Sequence, residues 1–299
     1  MKSAPSLLMI KPPPALVDLM ERSTGAELDG FFLWEKFMKQ VRVRASSLGE
    51  LFDCPARFEA KNILNMRGPT SGKAQLGTAI HAGSAAFDQA VLDGSPISID
   101  EACDPLVEAI WNPEFEVDWG EDKPKDAEMI GIKLLMKYCK EVAPAQKYAA
   151  VEVTCENLEI TDLGLTLTGT ADRIRIVEDE YGLSDLKSGG RAVGSDGKAV
   201  TSGHGAQLAV YELLAEHTFG KAMTLPAQII GLQTAKTTAR VGLGEIPNIR
   251  SMLIGTEDDP GLLQHASKII HSGSFYGNPK SMLCSGKFCP RYATCKYRS

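Results

Sequence analysis

The 299-residue sequence has no long apolar run near its start, no surplus of positive charge and no GxxxxGK[S/T] loop. Its first apolar stretch, Leu7 to Ile10, is four residues long before Lys11 and three prolines. That is too short for a signal peptide or a membrane span, so the expectation is a cytoplasmic protein. A net charge of -6 excludes a histone-like coat of positive charge, although it leaves room for a local basic groove. Without the phosphate-binding loop, this chain carries no ATP-driven motor of that type. Nor is the chain short of apolar residues: 43% hydrophobic and 23% charged residues make a globular composition and not a disordered one. In a reducing compartment the seven cysteines are not expected to form disulfides, and clustered ones point to metal or redox chemistry.

Two regions are expected. Residues 1–40 read as an extension with a proline-rich start and an aromatic stretch, GFFLWEKFM, able to pack as a short helix; residues 41–299 read as one domain. In RASSLGELFDCPARFEAKNIL the spacing of Leu48, Leu51, Phe52, Phe58 and Ile63 predicts helices, with Ser46 or Ser47 as an N-cap and Pro55 at a junction. KAQLGTAIHAGSAAFDQAVLDG predicts a helix ended by Gly94. Residues 95–128 read as an acidic, proline-interrupted insertion, and helix returns at AEMIGIKLLMKYCKEV. The period then changes to that of strands in YAAVEVTCENLEI, LTLTGTADRIRIVE and YGLSDLKSG. A glycine- and serine-rich loop leads to the helix AQLAVYELLAEHTFG, the strand AQIIGLQTA, a less regular section and the helix PGLLQHASKIIHSG. The order helix, three strands, helix, strand predicts an α/β fold with a mixed sheet flanked by helices.

Chemistry is expected at the strand hairpin. Side chains two apart share a strand face, so Asp185 and Lys187 project together while Leu186 enters the core. A hairpin folded about residues 178–179 brings Asp172 opposite Asp185. Two carboxylates at one spot repel unless a hard cation neutralises them, and oxygen ligands suit Mg2+ or Mn2+. A neighbouring lysine could then stabilise charge developing on a phosphate. Spacing alone does not decide this, because an acid, any residue and a lysine also occur at Glu59, Glu121 and Asp196. A surface salt bridge is the plain alternative.

The ordered run GTAIH, GTADRI, DLKSG and QLAVY resembles the RecB-type nucleases of the PD-(D/E)XK superfamily, and the order of elements resembles that superfamily's restriction-endonuclease-like core. The resemblance covers roughly residues 45–299. It implies His81, Asp172 and Asp185 as metal ligands, Lys187 as the catalytic lysine, and Gln207 and Tyr211 as the QxxxY element that touches DNA beside the active site. Each has a structural alternative: His81 as a half-buried helix histidine, Gln207 and Tyr211 as filling of the helix–sheet interface. Glu152 is either an auxiliary ligand or a solvated strand residue, and the solvated reading is preferred; His204 is a candidate DNA contact.

The last nineteen residues, SMLCSGKFCPRYATCKYRS, hold three cysteines and no acid. In the iron–sulfur subset of these nucleases, which includes AddB-type subunits and CRISPR-associated RecB-like nucleases, one cysteine before the core joins three after it around a 4Fe-4S cluster. Cys54, Cys284, Cys289 and Cys295 match that arrangement, although the C-x4-C-x5-C spacing departs from the family's tighter first pair. Zinc accepts the same four thiolates. Linking Cys54 to Cys284 closes a loop of about 230 residues, a staple of roughly 5 kcal/mol in the chain-entropy model. Cys103, Cys139 and Cys155 read as small core residues. Lys280, Lys287, Arg291, Lys296 and Arg298, interleaved with Tyr292 and Tyr297, offer phosphate contacts and stacking surfaces for single-stranded nucleic acid, or form a merely solvated tail.

The resemblance implies a Mg2+- or Mn2+-dependent DNA exonuclease or end-processing nuclease acting on a single-stranded end. Recombination, repair and phage DNA metabolism are the expected settings, with phage or prophage encoding compatible, and a helicase or recombination partner would supply any unwinding. The competing class is an inactive or partner-dependent nuclease-fold protein that binds DNA without cutting it.

Overall fold

The computed structural model describes residues 39–235, 238–256 and 258–298, and the aromatic stretch 30–38 lies outside them. Among the described residues no helix is long and apolar enough to cross a membrane. The described chain opens on β1 (Val41–Arg44), which runs directly into α1 (Ala45–Asp53). Because Arg44 is the last extended residue, it occupies the N-cap position. Neither Ser46 nor Ser47 caps the helix, and Ser47 Oγ instead donates to the Arg44 carbonyl at 2.9 Å. Pro55 opens α2 (Pro55–Phe58) after a break at Cys54, since proline can begin a helix without losing a needed N–H. A π-helical turn over Glu59–Ile63 follows.

The short strand β2 (Thr70–Ser71) precedes α3 (Gly72–Leu92), whose first turn is capped by Ser71 Oγ accepting from Ala74 N–H. Next come α4 (Ile99–Trp111), β3 (Val117–Asp118), paired with β2, and α5 (Pro124–Glu141). Ser98 and Glu101 form a reciprocal capping box on α4. Residues 95–128 are therefore not a loop between helices: their helix is part of the packed helical layer. Ala102, Leu106 and Ile110 of α4 join Leu76 and Ile80 of α3 and Leu134, Leu135 and Tyr138 of α5 in one buried cluster. The residues that suggested an interruption lie away from that face: Asp104 and Glu108 are exposed, and Pro105 sits inside the helix, where apolar burial outweighs the lost backbone bond.

The chain continues through β4 (Tyr148–Thr154), β5 (Leu158–Ile160), β6 (Leu165–Thr168), β7 (Thr170–Val177) and β8 (Glu180–Gly189). After α6 (Gly205–Phe219) come β9 (Ala227–Gln233), β10 (Arg240–Ile246), α7 (Arg250–Leu253) and α8 (Leu262–Ser272). These elements sort into two compact units. Of the described residues, one comprises those up to Asn65, Asn157–Thr168 and those from Arg250 onward; the other comprises those in Met66–Glu156 and Gly169–Ile249.

In the first unit β1, β6 and β5 form a three-stranded sheet in that order, β1 parallel to β6. Ser267 of α8 donates to the Leu163 carbonyl at 2.7 Å. In the second unit a mixed five-stranded sheet runs β10-β9-β8-β7-β4, with β8 and β9 parallel and the other pairs antiparallel. Leu186 of β8 and Ile230 and Leu232 of β9 pack into the α3–α5 cluster, and α6 packs against β7 and β8. The expected order of helix, three strands, helix and strand is present.

Two expected strands are divided. YAAVEVTCENLEI gives β4 and β5, LTLTGTADRIRIVE gives β6 and β7, and in each case the pieces serve different sheets. The less regular section before α8 contains β10, which its glycines conceal. A Cβ at Gly244 would stand 2.8 Å from the Ala199 carbonyl, and one at Gly242 would strike the Gly197 carbonyl, so the loop after β8 lies against this strand only because both lack side chains.

The packing sorts glycines by consequence. At Gly83 of α3 an added Cβ would meet Leu135 Cδ2 at 2.7 Å and the Ala102 carbonyl at 2.9 Å, whereas at Gly49 of α1 it meets nothing within 4 Å. We expect Gly83→Ala to lower stability by roughly 1–3 kcal/mol through overpacking. Gly49→Ala should raise it by roughly 0.5–1 kcal/mol through helix propensity. Urea unfolding of the two variants checks both signs.

Candidate active site

Glu178 and Asp179, at φ 48° and 66°, supply the left-handed pair that a two-residue hairpin needs, and they place the turn between β7 and β8 where it was expected. Arg173 pairs with Ser184, so Asp172 falls opposite Asp185. Since Leu186 enters the α3–α5 core, strand alternation turns Asp185 and Lys187 to the other face. Asp185 is 2% exposed. Lys187 Nζ approaches its Oδ2 to 2.6 Å as an ion pair. Asp172 Oδ2 accepts from the Leu186 N–H at 2.8 Å.

Helix α3 reaches this hairpin through Gly77, where a Cβ would sit 2.9 Å from Ser188 Oγ. One turn later, His81 Nε2 lies 3.1 Å from the Leu186 carbonyl and Nδ1 lies 3.6 Å from Asp172 Oδ2. A carbonyl only accepts, so in the neutral ring Nε2 carries the proton and Nδ1 turns a lone pair toward the carboxylate. Two lone-pair atoms facing each other at that distance suit a shared cation.

Among the described residues, one set of three metal-ligating atoms falls within 4.8 Å of one another: those of His81, Glu152 and Asp172. Glu152 was expected to be solvated. Its side chain is 40% exposed, yet its carboxylate joins this group and pairs with Arg173 at 3.0 Å. Burial raises its affinity for a proton, Asp172 adds to the effect, and Arg173 opposes it. Asp185 stands outside the three-residue set, with its carboxylate turned to Lys187. Sequence reasoning missed Arg173, Asp88 and Ser84. The signal available was an arginine and an aspartate at positions whose periodicity is that of buried residues.

The remaining predicted residues lie beside these groups. On α6, Gln207 Nε2 donates to Tyr211 Oη at 3.4 Å. Burial pushes the Tyr211 hydroxyl up to about 12, with the Asp172 and Asp185 charges adding to it. His204 occupies the N-cap position of α6, where burial and then the charge of Lys187 lower its pKa.

In the first unit, Cys54, Cys284, Cys289 and Cys295 line one cavity. The returning chain is tied to α1 and α2 at that point: Asn278 Nδ2 donates to the Asp53 carbonyl at 2.9 Å, Ser281 Oγ to Asp53 Oδ2 at 2.6 Å, and Asn278 N–H to Cys54 Sγ at 3.4 Å. Buried Arg57 braces it through Glu50 and Asp53 at 2.7 and 3.0 Å. Several of the basic tail residues are already engaged. Arg291 is ion-paired with Glu59, Arg298 bonds the Ala293 carbonyl and stands over the Tyr292 ring, and Lys296 stands 5.0 Å from the Tyr297 ring centre. Of the other cysteines, Cys139 and Cys155 are buried and Cys103 packs against the main core.

A mixed sheet with flanking helices and an acid, acid, lysine group at a central hairpin defines a restriction-endonuclease-like nuclease fold. The model of the PD-(D/E)XK nuclease superfamily matches residues 42–299, and the chain belongs to that superfamily, whose members hydrolyse phosphodiester bonds. No curated protein matches the chain.

Asp185 carries a measurable consequence. Burial, and after it the Asp172 charge, push its carboxyl up to about 6 from the ordinary 3.8, with Lys187 opposing. Between those values the unfolded chain has lost the proton that the folded chain keeps, so in metal-free protein this group makes stability fall as pH rises from about 4 to about 6. In chelator, Asp185→Asn should therefore melt higher than the parent at pH 7.5, by roughly 1–3 kcal/mol, and equally at pH 3.5. Thermal melts at the two pH values check it.

Proposed function

We propose that the chain is a Mg2+- or Mn2+-dependent DNA exonuclease or end-processing nuclease of the RecB-like kind. The observation that carries this reading is the convergence of His81 Nδ1 on Asp172 Oδ2 at 3.6 Å, with its other nitrogen fixed on Leu186, next to the Asp185–Lys187 pair. The donor set fits a hard divalent ion: one imidazole nitrogen with a carboxylate-facing lone pair, several carboxylates, and the buried Asp185 carboxyl group. His81, Asp172 and Asp185 would hold the ion, with Glu152 added to the expected ligands. When bound, the ion would supply Lewis acidity for the phosphate and for the attacking water.

The chain's own residues do the rest. Lys187 holds positive charge where a phosphate gains negative charge in the transition state. Gln207 and Tyr211 present an amide and a phenol beside the carboxylates for the DNA strand. His204 would add a contact at the start of the same helix.

The cysteine cavity supports an iron–sulfur site. Four thiolates around one zinc would stand about 3.8 Å apart at ordinary bond lengths. A 4Fe-4S cluster instead takes one iron per thiolate, and all four cysteines line this cavity.

Two experiments test these readings. Labelled single- and double-stranded DNA with Mg2+ or Mn2+ should be shortened by protein purified without oxygen, and Asp185→Ala and Lys187→Ala should each lose roughly 100- to 1,000-fold in rate. Full-length substrate after incubation with folded, metal-loaded protein would contradict the assignment and favour a DNA-binding role. Anaerobic preparations should be brown, with about four iron and four sulfide per chain. One zinc in a colourless protein would remove the cluster from the proposal.

A further inference from the structure

Arg173 is the bulkiest fully buried side chain among the described residues. It follows Asp172 on β7, and its guanidinium is committed in several directions. Nε donates to Asp88 Oδ2 at 2.7 Å, Nη2 to Ser84 Oγ at 3.1 Å, and Nη1 both to Glu152 Oε1 at 3.0 Å and to the Asp172 carbonyl at 2.7 Å. Asp88 in turn accepts from Tyr138 Oη at 2.6 Å. A buried ion pair of this kind is a weak source of stability, because both charges have left water and apolar residues would fill the same space. Its use is better sought in what it holds.

Glu152 gives the second observation. It lies within strand β4 with φ 48°, a left-handed backbone that a residue with a side chain rarely adopts and that persists only where its surroundings over-determine it. The Arg173 bond fixes the side chain of that residue, at the point where its carboxylate meets His81 and Asp172. A lysine could not reproduce this, since the planar guanidinium addresses Asp88, Ser84 and Glu152 at once.

We propose that Arg173, anchored by Asp88 and Ser84, is a positioning residue that holds the Glu152 carboxylate in place as a ligand for the divalent cation. This rests on the metal-site reading given above. Arg173 acts through Glu152, so removing either one should remove the same increment of affinity.

The test is Mn2+ binding to the full chain without DNA, read from the free Mn2+ electron-paramagnetic-resonance signal, with circular dichroism as the check on folding. Glu152→Gln and Arg173→Lys should each weaken binding about tenfold or more. The double variant should bind no more weakly than Glu152→Gln alone. Unchanged affinity in Arg173→Lys, or losses that add in the double variant, would overturn the proposal. If Arg173→Lys does not fold, Asp88→Asn takes its place in the same cycle with the same expected outcomes. Parent protein that binds no Mn2+, or binds it equally well after Asp172→Ala, would overturn the metal-site reading and the proposal together.

Discussion

Negative charge gathered at one point of a sheet is the constraint around which the second unit is arranged. Asp172 and Asp185 face each other across a hairpin whose register is fixed by a two-residue turn, and Glu152 approaches from the strand on the other side of β7. Burial of Asp185, and after it the Asp172 charge, raise the affinity of that carboxyl for a proton. The fold offsets it from several sides: the Leu186 N–H on Asp172, the Lys187 ammonium beside Asp185, and the Arg173 guanidinium on Glu152. Each of these groups is placed by ordinary strand geometry. Carboxylates still outnumber the cationic groups there, a balance that suits a hard cation on the reading proposed above.

The helical layer is what makes this arrangement possible. Arg173 turns away from the Asp172 face and meets Ser84 and Asp88 on α3, which must lie close to the sheet for those contacts to form. Gly77 permits the approach over β8, and Gly83 permits α4 and α5 to close on the outer side of α3. The apolar burial of Leu106, Leu134, Leu135 and Tyr138 therefore does more than stabilise the unit. It sets the depth at which His81 reaches the hairpin. Residues 95–128 matter to the site although none of them touches it.

Elements with local causes were legible in the sequence. The hairpin turn, the alternation that separates Leu186 from Asp185 and Lys187, and the helices α3, α5, α6 and α8 follow from periodicity and capping over short spans. What escaped was set by distant partners. The runs from Tyr148 and from Leu165 read as continuous strands because nothing local shows that their pieces pair in different sheets. Strand β10 was hidden by Gly242 and Gly244, whose purpose is to admit a loop more than forty residues earlier in the chain. Pro105 and the acids around it read as an interruption, yet the spacing of Ala102, Leu106 and Ile110 is that of one helix face. At the site, residue type and order pointed to His81, Asp172, Asp185 and Lys187. Glu152 reads as a solvated strand residue and is exposed, but nothing local shows that its backbone is left-handed.

The Asp185–Lys187 pair shows why a site of this composition need not be stabilising in itself. Lys187 sits 2.6 Å from a buried carboxylate oxygen, so the pair gains Coulomb energy, but the carboxylate has left water to make it. Burial, and after it the Asp172 charge, keep the carboxyl inclined to take up a proton near pH 6, with Lys187 opposing. A divalent cation would relieve both conditions at once, and it would also weaken the hold of Asp185 on the lysine. The same ammonium would then be free to face a phosphate. On the reading proposed above, a tighter ion pair would keep Lys187 from the substrate.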